Sequence, residues 1–356
     1  MGRCVTNSIL GGTRVLEFAG IGPAPHAALI LADLGADVVR IERPDAPHRS
    51  PGTVRNREIV TLDLKSDQSC GRLWELIEQA DVVLEGFRPG VMEKLGLGPE
   101  HVAARVPGMI FARLTGWGQS GPLAKSAGHD INFLALSGVL HGVGRRGERP
   151  VPPINLVGNF GGGSLPAVVG ILGALLRRSR TGEGAVIDAA IVDGSAMLSN
   201  LIWSLLAEGR WVDRRGENLF DGGAPFYDTY ECKDGRYIAV GAVEPVFYRQ
   251  LLIGLGLDEN ALPDREDRQT WSELRERFAA VFRTRDRDEW AATFNEIDAC
   301  VTPVLSLAEA PQHPHMRARA VFEEWDGAPM PHCAPRVLDL RLTQPNSPLE
   351  RKNDHL

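Results

Sequence analysis

Two stretches hold the residues best suited to chemistry. Gly128-His129-Asp130 opens an apolar segment with helical spacing, and its imidazole can take a proton near neutral pH. Further along, Asn155-Leu156-Val157-Gly158-Asn159-Phe160-Gly161-Gly162-Gly163 sets an asparagine where a proton-transfer site would hold an acid. An amide donates and accepts hydrogen bonds but neither takes up nor releases a proton at neutral pH. A lone histidine beside an apolar helix is more often a core residue, so His129 needs a second reason to count as a base.

The elements around these stretches come from periodicity. Arg14-Val15-Leu16-Glu17-Phe18 reads as a strand, Gly20 to Pro25 as a loop, and His26 to Leu34 as a helix that stops at Gly35. Further strands are predicted at Asp37–Ile41, Ile59–Leu62, Asp81–Glu85 and Met109–Arg113, with a helix over Gln68–Ile77 between the third and fourth. Strands separated by helical stretches imply parallel pairing with crossover helices. The expected class is α/β, a Rossmann-like large domain over 1–190. The loop Gly20-Ile21-Gly22-Pro23-Ala24-Pro25 follows a strand, but proline stands where a dinucleotide turn needs backbone N–H groups, which argues against NAD.

After a linker helix expected at 191–225 the texture changes. Tyr227–Cys232 and Arg236–Val240 alternate around Lys233-Asp234-Gly235, which is a hairpin signature. Helical patterns follow over Pro245–Gly256, Trp271–Phe282 and Arg287–Glu296. A smaller α+β domain at 226–307 is expected, then a return linker at 308–324. The tail at 325–356 either packs back on the large domain or is partly disordered.

Composition narrows the function classes. The chain has 356 residues, 43% apolar and 24% charged, and a net charge of -7 without any basic run, so nucleic acid is not an expected partner. Five cysteines without ligand spacing suggest a reduced compartment and no metal. The start lacks signal-peptide features, and Asn353-Asp354-His355-Leu356 is no peroxisomal address. Leu165–Leu176 is apolar but too short to span a bilayer, so it is expected as a buried helix. A cytoplasmic protein without a membrane segment is the expectation. Gly161-Gly162-Gly163 allows a close backbone approach by a ligand or by a packed helix start, and Gly-Gly-Gly-Ser164 is not a nucleophile elbow.

Several blocks in a fixed order resemble one family. They are Phe18-Ala19-Gly20-Ile21-Gly22-Pro23, Leu34-Gly35-Ala36-Asp37-Val38-Val39-Arg40-Ile41-Glu42-Arg43-Pro44 and Glu85-Gly86-Phe87-Arg88-Pro89-Gly90-Val91. Thr115-Gly116-Trp117-Gly118-Gln119-Ser120-Gly121-Pro122, Gly128-His129-Asp130-Ile131-Asn132 and Asp221-Gly222-Gly223-Ala224-Pro225-Phe226-Tyr227 continue the series. Over nearly its whole length the chain resembles the family III CoA-transferases (CaiB/BaiF type), and within them the bacterial α-methylacyl-CoA racemases.

The resemblance implies an interlocked homodimer acting on an acyl-CoA, with CoA as part of the substrate and no separate cofactor. It places Ile21, Arg43, Lys65, Arg88, Lys94 and Gly128 at the CoA. Arginine suits a phosphate because its planar fork can bond two oxygens. Racemisation removes a weakly acidic proton beside a thioester carbonyl and returns one on the opposite face. That needs a base, an opposed acid and donors for the enolate oxygen. By resemblance His129 is the base and Glu244 the acid that fixes the imidazole. The place of Asp130 at a helix start, where backbone N–H groups are free, makes its N–H the candidate oxyanion donor, with its carboxylate orienting or capping.

Asn159 stands where the family's racemases carry the second proton shuttle and its transferases a nucleophilic carboxylate. Losing a positioned acid or base costs about 10²–10⁴ in rate. The implied activity is therefore a racemase-type enolisation, impaired or turned into a one-base reaction such as isomerisation or enolate capture with cyclisation. A CoA-transferase and a CoA-thioester-binding pseudoenzyme are the alternatives. The sequence leaves open whether Asn159 is native.

Overall fold

The computed structural model of the protein describes residues 9–47 and 51–337. Cys4 and the end of the tail, 338–356, lie outside them. The chain divides into two compact units, the first gathering the described residues up to 137, then 154–198, then those from 320 onward. The second takes 138–153 and 199–319.

In the first unit β1 (Arg14–Phe18), β2 (Asp37–Glu42), β3 (Arg57–Thr61), β4 (Val82–Glu85), β5 (Ile110–Thr115) and β6 (Ala185–Ala190) form one sheet in the order β3-β2-β1-β4-β5-β6. Every pairing is parallel. Alternation along the strands sends Val15, Val38, Val82 and Ile110 to one core and Leu16, Val39, Val83 and Phe111 to the other. Both faces are covered, as a parallel sheet requires. Helix α1 (Pro23–Asp33) lies on the first face, starting with proline at its first position. Helix α2 (Asp67–Glu78) supplies Leu73, Leu76 and Ile77 to the other. Short helices α3 (Val91–Lys94) and α4 (Pro99–Arg105) follow β4, and α5 (Asp130–Leu136) follows β5.

Charges also lie inside this sheet. Glu17 on β1 pairs with Arg40 on β2 and with Arg57 on β3 at 2.7 Å, and Arg57 also donates to the Pro25 carbonyl of α1 at 3.2 Å. Burial raises the Glu17 pKa, and the two guanidinium groups oppose that rise. Across β4 and β5, Glu85 bonds Arg113 at 2.9 Å. Periodicity alone gives no sign of these pairs, because in strand sequences they read as surface positions.

Leu156–Ser164 winds as a π-helix and runs directly into α6 (Leu165–Thr181), which stops at the left-handed Gly182. This corrects two sequence-based expectations. The joined run of 26 residues is long and apolar enough to cross a membrane by length and composition, a test that core helices of soluble proteins also pass. It is also not a wholly buried helix. Ala167, Val168 and Ile171 face the sheet, while Leu165, Val169 and Leu176 are exposed. A helix packed on one sheet face buries one stripe only.

Helix α7 (Ile191–Leu198) stays with the first unit and α8 (Asn200–Ala207) goes with the second, so the expected linker at 191–225 divides near residue 198. The close approach of Gly194 to the carbonyl of Gly162 explains α7's allegiance: a Cβ on Gly194 would lie 1.8 Å from that oxygen. Segment 138–153, expected within the large domain, joins the second unit because Arg145 pairs with Asp228 at 2.6 Å and Arg215 bonds the carbonyls of His141 and Glu148. The second unit runs on to 319, through most of the expected return linker.

Its antiparallel sheet, in the order β7-β8-β9, comprises β7 (Tyr227–Glu231), β8 (Tyr237–Gly241) and β9 (Val301–Pro303). The predicted hairpin turn is present, with Gly235 at φ 73. Helices α9 (Pro245–Leu255), α10 (Trp271–Phe282) and α11 (Arg287–Asn295) pack one sheet face around Tyr230, Tyr248, Phe278, Phe282 and Trp290. Back in the first unit, β10 (Phe322–Trp325) and β11 (Ala328–Pro331) form a hairpin whose Met330 lies against Gly52.

Candidate active site

The strand order reverses direction between β1 and β4, and in such sheets the crevice beyond the carboxyl ends of the strands is the usual ligand site. Five candidate residues of the first unit lie on segments leaving that edge. Ile21 follows β1 and is exposed, Arg43 follows β2, Lys65 follows β3, Arg88 follows β4, and Lys94 sits on α3 just beyond. Arg43 is loosely held, 3.1 Å from the exposed Asp45. Lys65, Arg88 and Lys94 are exposed and make no ion pair among the described residues. Four cations with little competition from neighbouring carboxylates suit a polyanion such as a nucleotide with phosphates.

The fifth strand leads to Gly128 and His129. Gly128 packs against Phe133 and Trp117, where a Cβ would come within 2.8 Å of the Phe133 ring. His129 is exposed and forms the N-cap of α5 in extended conformation. Its own N–H donates to Asn132 Oδ1 at 3.0 Å, and its carbonyl accepts the Asn132 N–H at 2.8 Å. This reciprocal tie fixes the backbone that carries the imidazole. Sequence reasoning passed over Asn132, although its place three residues after the cap is a recognisable capping signal.

Asp130 is only 6% exposed and sits at the first helical position, where its backbone N–H has no carbonyl within the helix to bond. Its carboxylate accepts the Asn159 N–H at 2.5 Å and lies against Gly158, where a Cβ would come within 2.6 Å of Oδ1. The two stretches singled out in the sequence are thus bonded to each other.

Asn159 is half-buried in the π-helix, and its side-chain amide makes no hydrogen bond among the described residues. Its Nδ2 lies 3.9 Å from the position of a Cβ on Gly22, in the loop that also carries Ile21. Gly22 has φ 74, a conformation in which any side chain is strained. Ser164 Oγ donates to the Pro23 carbonyl at 2.8 Å and clamps the end of the π-helix to the start of α1. Of the glycine run, Gly162 and Gly163 are crowded by Ser195 and Ile191 of α7, so helix packing accounts for them. π-helical turns recur at functional sites because they re-aim side chains without ending the helix.

His26 is a second imidazole near this centre that sequence reasoning did not single out. Its ring lies 4.5 Å from Phe160, the neighbour of Asn159, and its Nδ1 is buried without a partner. Burial depresses its pKa, and the charge of Asp33 only partly offsets that. Glu244 belongs to the second unit, where it is the exposed N-cap of α9 and its carbonyl accepts the Tyr248 N–H. Among the described residues no group of His, Cys, Asp and Glu is arranged to hold a metal.

Comparison with known proteins identifies the family. Residues 10–349 match the profile of CoA-transferase family III. The chain belongs to CoA-transferase family III. Among relatives within it, α-methylacyl-CoA racemase of Mus musculus is 47% identical over 97% of this chain and 90% of its own. The racemase of Homo sapiens is 46% identical over 93% of this chain and 87% of its own. A solved CaiB/BaiF family protein from Brucella suis superposes with a TM-score of 0.79 at 26% identity, covering 93% of each chain. The α/β fold with its parallel sheet is therefore the family's fold.

Proposed function

We propose that this family III member is a racemase-type isomerase that enolises a 2-methylacyl-CoA thioester. His129 removes the α-proton, and the negative charge moves to the thioester oxygen. The free N–H of Asp130 donates to that oxygen, and the enolate carbon then takes a proton back. Arg43, Lys65, Arg88 and Lys94 hold the CoA phosphates, with Ile21 and Gly128 against the remainder of the carrier. Acid–base groups and hydrogen-bond donors suffice for this chemistry, so the reading calls for no resident cofactor.

The observation that carries the reading is the Asp130–Asn159 bond, which holds the proposed base segment and the opposite segment at one place on the sheet edge. The likeness to two racemases at 46–47% identity supports racemase chemistry over CoA transfer. So does the absence of a carboxylate at position 159, since an acyl anhydride needs one.

Asn159 can hydrogen-bond an enolate but cannot reprotonate it, so His129 works mainly on one face. In D₂O the protein should exchange the α-proton of one 2-methylacyl-CoA epimer much faster than the other and convert little of either. Asn159→Asp should raise racemisation by about 10² or more, with an unchanged melting temperature confirming the fold. Fast, equal racemisation of both epimers by the unaltered protein would overturn the one-base reading.

A homodimer is part of the proposal. Leu136, Ile154, Leu156, Val169 and Met197 of the first unit are all exposed apolar side chains, more than an isolated subunit ordinarily presents.

A further inference from the structure

Phe133 stands one helical turn after His129, and main chain meets its ring on two sides. A Cβ on Gly116 would lie 2.2 Å from the ring's Cε1 and Cζ, and a Cβ on Gly128 would lie 2.8 Å from Cε1. Neither glycine has a positive φ, so it is the ring, and not the backbone conformation, that excludes a side chain at both positions. Trp117 closes a third side, edge-on with 4.8 Å between ring centroids. With only 4% of its surface exposed, Phe133 has no open space to swing into. An ordinary core ring packs on side chains that can change rotamer, whereas this one packs on backbone that cannot.

The slot around the ring is fixed to the sheet. Gly116 directly follows β5, its carbonyl accepts the Val192 N–H of α7 at 3.1 Å, and the Gly118 N–H donates to Thr115 Oγ1 at 3.1 Å. On the helix side, the His129 carbonyl accepts the N–H of Phe133 at 3.3 Å and that of Asn132 at 2.8 Å. The ring therefore ties the residue that carries the imidazole to the end of β5. The Asp130–Asn159 bond ties the same segment to the π-helix, so the start of α5 is anchored to two different elements.

We propose that Phe133, gripped between Gly116 and Gly128, is a positioning residue for proton abstraction and sets where His129 stands relative to the sheet edge. The proposal rests on the reading of His129 as the base and adds a buried residue that acts only through it. A shift of about 1 Å in a reacting group can lower a rate about a hundredfold, so loosening the ring acts on the chemical step and leaves binding alone.

The test alters the ring and the slot separately, then together. Phe133→Leu leaves a void, and Gly116→Ala drives a methyl group into the ring. Each should lower kcat for α-proton exchange from 2-methylbutanoyl-CoA by about tenfold to a hundredfold, with KM and the affinity for free CoA within about twofold of the unaltered protein. In the double variant the added methyl takes space that the ring gives up, and kcat should recover to within about threefold. Lower melting temperatures with an unchanged kcat per folded molecule in both single variants would mean a purely structural ring and overturn the proposal. A double variant no faster than the slower single variant overturns it as well.

Amide hydrogen exchange decides the lock without turnover. The N–H groups of Asn132 and Phe133 should exchange about tenfold faster in each single variant and slow again in the double variant. If the unaltered protein exchanges no α-proton from any acyl-CoA, the reading of His129 as base falls. Faster amide exchange in the single variants, reversed in the double, then supports the lock by itself, and unchanged amide exchange in both single variants overturns it.

Discussion

The buried carboxylate of Asp130 accepts the backbone N–H of Asn159 at 2.5 Å and so joins two segments that are 29 residues apart. The carboxylate is thereby engaged as a clamp, while its own backbone N–H stays at the open end of α5. Asp130 can thus contribute to the site through its main chain while its side chain holds the π-helix in place. The division matters because an acid beside a proposed base would otherwise be read as the missing proton donor.

Removing that clamp has a defined cost. Asp130→Ala leaves the half-buried Asn159 N–H without its acceptor and should lower stability by about 1–3 kcal/mol, read from the urea midpoint. Asp130→Asn keeps an acceptor oxygen and should lose less than half as much. Equal losses in the two variants would mean that the carboxylate's charge, and not the bond to Asn159, is what the fold uses.

The cations of the sheet edge should act on CoA binding and leave the fold alone. Arg43→Ala loses an exposed guanidinium whose partner Asp45 is itself solvated, so its melting temperature should stay within a degree or two. Its affinity for free CoA should fall by about tenfold or more, the size of a charge-assisted phosphate contact. The loss should shrink in high salt as screening weakens the contact in the unaltered protein. Calorimetry giving equal affinities at low salt would remove Arg43 from the site.

His26 should make stability pH-dependent. Its folded-state pKa is depressed by burial, so below the ordinary value of 6.5 the unfolded chain binds the proton more readily. The stability from keeping it neutral is complete above about pH 6.5 and is lost as pH falls through the folded value. Melting temperature should therefore drop between pH 7.5 and pH 5.5. His26→Phe keeps a ring against Phe160 and should flatten part of that drop. Glu17 and Glu85, whose pKa values burial raises, contribute in the opposite sense but equally in both proteins. Identical pH slopes would show that His26 titrates normally.

The exposed apolar side chains of the first unit lead to an assembly prediction. Sedimentation should give a species of twice the 38.8 kDa chain mass at micromolar concentration. Val169→Glu, on the exposed face of α6, should weaken it measurably, because an unpaired charge would be buried in the interface. A folded monomer at that concentration would remove the dimer from the proposal.

Local pattern accounts for much of the architecture. The strand Arg14–Phe18 and the helix Trp271–Phe282 occur with the predicted bounds, and the Lys233-Asp234-Gly235 turn falls where its residues call for a hairpin. Alternation, helical spacing and turn chemistry act over a few residues, so one stretch of chain contains all the information they carry. Position along the chain, with the strand–helix alternation, also places the loops bearing Ile21, Arg43, Lys65 and Arg88 after successive strands.

The remaining features depend on residues far apart in sequence. Glu17, Arg40 and Arg57 read as surface charges until the parallel register brings three strands side by side and buries them together. The apolar run after Leu165 reads as buried until its one-sided packing on the sheet leaves Val169 and Leu176 outside. Nothing near Asn159 in the chain announces that Leu156–Ser164 will wind as a π-helix against α7, or that Asp130 will hold it. Those contacts exist only once the sheet has fixed where β5, α5 and α7 meet, because packing and long-range hydrogen bonds are set by distances in space that a local pattern does not contain.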